Sequence, residues 1–105
     1  MNIDIKPEHL KIVQSILKRH LPEGTQVMVF GSRVKHCARV FSDLDLLLHA
    51  NKPLSMQVLA NLAFDFEESD LPYKVDLVDW MSTSDEFKAI IAPQCINMPV
   101  PLPNQ

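Results

Sequence analysis

The chain is poor in the residues that build extracellular or membrane proteins. Its 105 residues include only two cysteines, Cys37 and Cys95, with no Cys-x-x-Cys spacing. That excludes a disulfide scaffold and a cysteine-built metal cluster, and two reduced thiols fit a cytoplasmic protein. No apolar run approaches the roughly 20 residues needed to span a bilayer. The start, Met1 to Leu10, lacks the basic opening and apolar stretch of a secretory leader. Basic excess is missing too. A net charge of -3 argues against general nucleic-acid binding. What the chain does have is apolar material, 47% of its residues, enough for the core of a single domain.

The pattern along the chain predicts a helix over 7–20. Pro7 suits a first turn, Glu8 favours the positive helix start, and Lys18, Arg19 and His20 favour its end. A strand follows over 25–30, ended by Gly31-Ser32. Residues 33–39 form a short helix or a loop, and a second strand covers 43–49. A helix over 54–69 has Met56, Leu59, Leu62, Ala63 and Phe66 on its inner face. A third strand spans 73–80, and a last helix begins at Ser82 or Ser84 and runs to about Ala92. Pro93 ends regular structure, so the domain covers 1–96 and a proline-rich tail covers 97–105. The order implies an α+β fold: a small mixed sheet of three or more strands with helices mainly on one face. The second and third strands, joined by a helix, are expected to be parallel with a right-handed crossover.

Chemistry concentrates between residues 31 and 45. Gly31-Ser32 is followed by ten residues and then Asp43-Leu44-Asp45. Acids two apart on a strand share a face, with Cα atoms about 6.6 Å apart at roughly 3.3 Å per residue. Alternating acids can simply be a solvated face. Here leucines 44, 46, 47 and 48 mark a buried strand, where unpaired charge is costly unless a cation sits between the carboxylates. Two hard oxygen donors suit Mg²⁺. A Gly-Ser turn suits a phosphate, the glycine giving close backbone approach and the serine a hydroxyl. A third acid comes from Asp76 or Asp79, which cannot share a strand face. Asp76 is preferred because it is flanked by apolar residues; Asp79 then reads as a surface or capping acid. Arg33, Lys35, His36 and Arg39 form a basic segment that could neutralise a triphosphate, Arg33 first among them. Tyr73 and Trp80 read as packing residues.

These residues resemble the nucleotidyltransferase superfamily that includes DNA polymerase beta. Its motif is an apolar residue, Gly and Gly or Ser, a short spacer, then Asp-apolar-acid-apolar, with a later acid. The match is Phe30-Gly31-Ser32, Asp43-Leu44-Asp45-Leu46 and Asp76. The wording of Val29 to Val34 and of Val75 to Trp80 is closest to the minimal nucleotidyltransferases, and the resemblance runs from about Ile5 to Ile91. One departure is His36, where the family commonly has glycine.

The resemblance implies a palm-like core and a mechanism. Asp43 and Asp45 would bind two Mg²⁺ ions with the nucleotide phosphates, and Asp76 would assist the acceptor hydroxyl. Gly31, Ser32 and Arg33 would hold phosphates. It implies ATP or another NTP as donor, and as partner a small helical HEPN-type protein, in an antitoxin and toxin pair. A homodimer is compatible with so small a core. The rival expectation is a catalytically weak module that neutralises a partner toxin by association alone. Modification of a small molecule is a third, disfavoured because no acceptor-binding domain is present.

Overall fold

The computed structural model describes residues 3–34, 39 and 41–98. The expectations placed on Lys35, His36 and Cys37, and on the tail beyond Met98, lie outside the described residues.

Helix α1 spans Pro7–His20, with Pro7 in its first turn and its three basic residues in the last. Strand β1 is Gln26–Phe30 and β2 is Leu44–His49. Helix α2 is Met56–Glu67, β3 is Val75–Asp79, α3 is Asp85–Ile91 and β4 is Ile96–Asn97. Single 3₁₀ turns cover Trp80–Ser82 and Ala92–Gln94. The strands form one mixed sheet in the order β3-β2-β1-β4. β1 pairs antiparallel with β2, and β2 pairs parallel with β3 across α2.

Alternation along the strands sends side chains to two layers. Val27, Val29, Leu44, Leu46 and Leu48 meet Val13, Ile16 and Leu17 of α1 and Leu62 and Phe66 of α2, with Val75 and Leu77 joining them. On the opposite face, Phe30 and Leu47 meet Ile91 of α3, with Met28, Val78 and Trp80 around them. The two long helices therefore share one face and the short α3 takes the other, as expected for an α+β sheet covered mainly on one side.

Three details correct the sequence reading. Met56 is 87% exposed, and Ala63 is exposed too. Ser55 caps α2 by accepting from the Val58 N–H; Val58, Leu59, Leu62 and Phe66 face the core, and Met56 lies on the outer side of the first turn. Regular structure does not end at Pro93. Ile96 and Asn97 pair with Val29 and Met28, so the expected boundary between 96 and 97 falls inside β4. Met98 beyond it is buried, and its N–H donates to the Val27 carbonyl. Asp79 is no surface acid, as the site geometry shows below.

Candidate functional site

β1 ends beside the start of β2, and β3 starts on β2's other side, so one end of the sheet collects three chain segments. Phe30 is the register partner of Asp45, and Asp45 is the register partner of Asp76. Both carboxylates alternate with residues of the helix-covered face, so both lie on the α3 side, in line with Leu47 and Val78. Asp43 is exposed and stands immediately before β2.

The three acids interact. The Asp45 carboxyl is pushed up to about 6 from an ordinary 3.8, first by burial, then by the charge of Asp76, then by that of Asp43. A hydrogen bond toward Asp76 adds to the effect. Lys74 Nζ stands 3.9 Å from Asp76 Oδ1, an exposed and weak ion pair.

Gly31 follows β1 with φ +82°, the left-handed region open to glycine. A Cβ at this position would overlap the Asp45 Oδ2 atom. The glycine thus serves twice: it makes the turn, and it lets backbone lie directly against a carboxylate. Its carbonyl accepts from the Val34 N–H at 3.1 Å, closing the turn. Ser32 sits next, half-buried.

Arg33, expected among the phosphate-holding residues, turns inward. It is buried at 5% exposure. Its Nε and Nη2 both donate to the Ser42 carbonyl, at 3.1 and 2.8 Å, and Nη1 donates to the Asp4 carbonyl at 2.9 Å. The guanidinium lies 3.9 Å over the Tyr73 ring, whose edge meets His9. Arg33 therefore anchors the residue before Asp43. A basic run in a sequence carries no mark of which member turns inward, and the Ser42 carbonyl that receives it has no signal at all.

The choice between Asp76 and Asp79 becomes geometric. Asp79 faces the helix layer, 8% exposed, and its Oδ2 accepts from the Leu54 N–H at 3.0 Å and the Ser82 hydroxyl at 2.8 Å. It braces the approach to α2 from inside the fold, neither at the surface nor as the side-chain cap of the 3₁₀ turn that follows it. Tyr73 is buried, and Trp80 is half-buried beside His49 and under Lys88, consistent with packing.

Among the described residues, no three acid, histidine or cysteine side chains converge as a self-sufficient metal cage. The donor set is instead an adjacent carboxylate pair with a third acid nearby. That set fits Mg²⁺, which takes one or two carboxylates and completes its shell with phosphate oxygens and water.

Comparison with known proteins identifies the family of this chain. A sequence model of the polymerase beta nucleotidyltransferase family matches residues 11–96. The probable protein adenylyltransferase MntA of Haemophilus influenzae is 48% identical over 89 residues, which cover 85% of this chain and 77% of that protein. A crystal structure of a toxin–antitoxin with AMP-PNP superposes with a TM-score of 0.73 at 23% identity, over 90% of this chain and 76% of that one. A structure of a tri-AMPylated Shewanella oneidensis HEPN toxin in complex with MNT antitoxin gives 0.64 at 22% identity, over 88% and 73%. At such identities the structural likeness speaks for the fold.

Proposed function

This chain belongs to the polymerase beta nucleotidyltransferase family and is a nucleotidyltransferase; from that premise we propose that it transfers AMP from ATP to a hydroxyl of a protein partner, with Mg²⁺ as cofactor. The observation that carries the proposal is the Asp45–Asp76 pair. Two carboxyls held side by side, one pushed up to about 6, repel each other until a cation relieves them.

Asp43, Asp45 and Asp76 would hold the metal, two ions in all. When bound, Mg²⁺ supplies charge neutralisation at the phosphates and acidifies a nearby hydroxyl. The protein's own residues do the rest. Gly31 admits a phosphate close to the backbone, and Ser32 offers it a hydroxyl. Arg33 keeps the Ser42–Asp43 junction in place through the Ser42 carbonyl. Asp76 stands ready to take the acceptor's proton as the new P–O bond forms at the α-phosphate and pyrophosphate departs. The proposed partner is a small helical HEPN-type protein, for which this chain would serve as the antitoxin in the cytoplasm. Support comes from the relative named adenylyltransferase and from structural neighbours that are toxin–antitoxin complexes. Among the described residues no helix is long and apolar enough to cross a membrane.

The test is transfer of label from α-³²P-ATP to a co-expressed helical partner. Label is expected on the partner with Mg²⁺ and none with chelator or with Asp43→Asn. Absence of transfer from any of the four nucleotides, with metal-dependent nucleotide binding intact, would overturn the transfer step. The sequence departure at His36 favours one second reading, neutralisation by association alone. An Asp43→Asn/Asp45→Asn variant that still protects cells would support it.

A further inference from the structure

A cleft lies at the N-terminal end of α1, with a volume of about 370 Å³. Asp4, Lys6, His9, Arg33, Arg39, Pro72 and Tyr73 line it, and none of Asp43, Asp45 and Asp76 does. Three cationic side chains against one acid is a local reversal in a chain whose net charge is -3. Two independent features point to an anion. The first is α1 itself. It is 14 residues long, its Lys6 N-cap position makes no side-chain cap, and Pro7 contributes no N–H. Among the described residues, no side chain caps the positive end of its dipole or the amides of its first turn. The second is Tyr73. Its side chain is more than nine-tenths buried, and its hydroxyl has no hydrogen-bond partner among the described residues. A buried hydroxyl with no partner is costly, and it is a donor waiting for an acceptor.

We propose that this cleft is an anion subsite, distinct from the carboxylate pair, that takes a phosphate or pyrophosphate group. Lys6, Arg39, the first-turn amides of α1 and the Tyr73 hydroxyl supply the donors. Arg33 supplies charge alone, because its Nε, Nη1 and Nη2 donate to the Ser42 and Asp4 carbonyls. Such a site needs no divalent cation, because the protein already provides the positive charge. It also weakens with salt, since Lys6 and Arg39 are exposed. The proposal stands independently of the transferase reading, which depends on Mg²⁺ and on the opposite face of the sheet.

The test is an amide NMR titration of the full chain in chelator, with inorganic phosphate, pyrophosphate and AMP as separate probes. The expected result is a saturable shift at the Glu8, His9 and Tyr73 amides, lost on raising the salt. A response to inorganic phosphate or pyrophosphate without AMP assigns a free anion; an equal response to AMP assigns a nucleotide phosphate. The Lys6→Gln/Arg39→Gln variant, which alters exposed side chains, is expected to bind at least tenfold more weakly. Tyr73→Phe removes only a buried unpartnered hydroxyl, so it is expected to melt no lower than the parent while binding several-fold more weakly. Shifts confined to Gly31 and Ser32, no saturable shift at millimolar probe, or unchanged affinity in both variants would overturn the proposal. A failed transfer assay leaves this titration unaffected, so the two claims fall separately.

Discussion

Gly31 answers two physical demands at one position: a left-handed backbone and an empty space beside Asp45 Oδ2. Gly31→Ala meets neither. It is expected to cost on the order of 1–3 kcal/mol in denaturant unfolding, as residues forced into such backbone do. Calorimetry should also show at least a tenfold loss of Mg²⁺-nucleotide affinity, because Asp45 must move to admit the methyl. Asp45 makes the second prediction, for protein kept in chelator. Its folded carboxyl titrates near 6, above the ordinary 3.8. The folded state thus holds this proton more tightly than the unfolded chain does. The stability it contributes is complete below about pH 4 and is lost as the pH rises through about 6. Asp45→Asn removes that loss, so the variant should melt above the parent at pH 8 and level with it near pH 4. A variant that melts lower at pH 8 would contradict the repulsion. The Asp-x-Asp spacing pointed to Asp45, and alternation separated Asp76 from Asp79, but which of those two faces Asp45 depended on strand register. Arg33 was not legible. Its burial depends on Tyr73 and on the Ser42 and Asp4 carbonyls, all distant in the chain.

Short elements obey their caps. Ser84 accepts from the Phe87 N–H at 3.2 Å and opens α3, with Asp85 and Glu86 in the first turn. Ser84→Ala is expected to lower unfolding free energy by about 1 kcal/mol, read from the denaturant midpoint at unchanged slope. Because α3 brings Phe87 edge-on to Phe30 and Ile91 against Leu47, its fraying loosens the face that carries Asp45 and Asp76. Dipole residues mark α1 in the sequence, and Ser84 with Asp85 and Glu86 marks α3. Two element-level features escaped it. The inward face of α2 starts at Val58, because Val58, Leu59, Leu62 and Phe66 are the positions that meet the core. β4 has two residues and too little pattern of its own, so it exists only because β1 offers an open edge.

At the scale of the whole molecule, α1 and α2 are tied over one face of the sheet. Asp65 of α2 accepts from Arg19 at 3.0 Å and pairs with His20 Nε2 at 2.5 Å. Those partners hold the Asp65 carboxyl below its ordinary value, the hydrogen bond from His20 first, although burial pulls the other way. Beneath this clamp Leu62 is fully buried in the larger core. Leu62→Ala is expected to cost about 2–5 kcal/mol in equilibrium unfolding, a large part of what so small a domain has. The sequence alone determined the order of the three helices and first three strands and the parallel pairing implied by a helix between two strands, because hydrophobic period and residue type are local properties. Tertiary structure alone decided that Asp76 lies beside Asp45, that Asp79 turns inward, that Arg33 braces the Ser42 junction and that a cationic cleft opens at α1. Each depends on strand register or on contacts between segments far apart in the chain, and no local pattern encodes those distances.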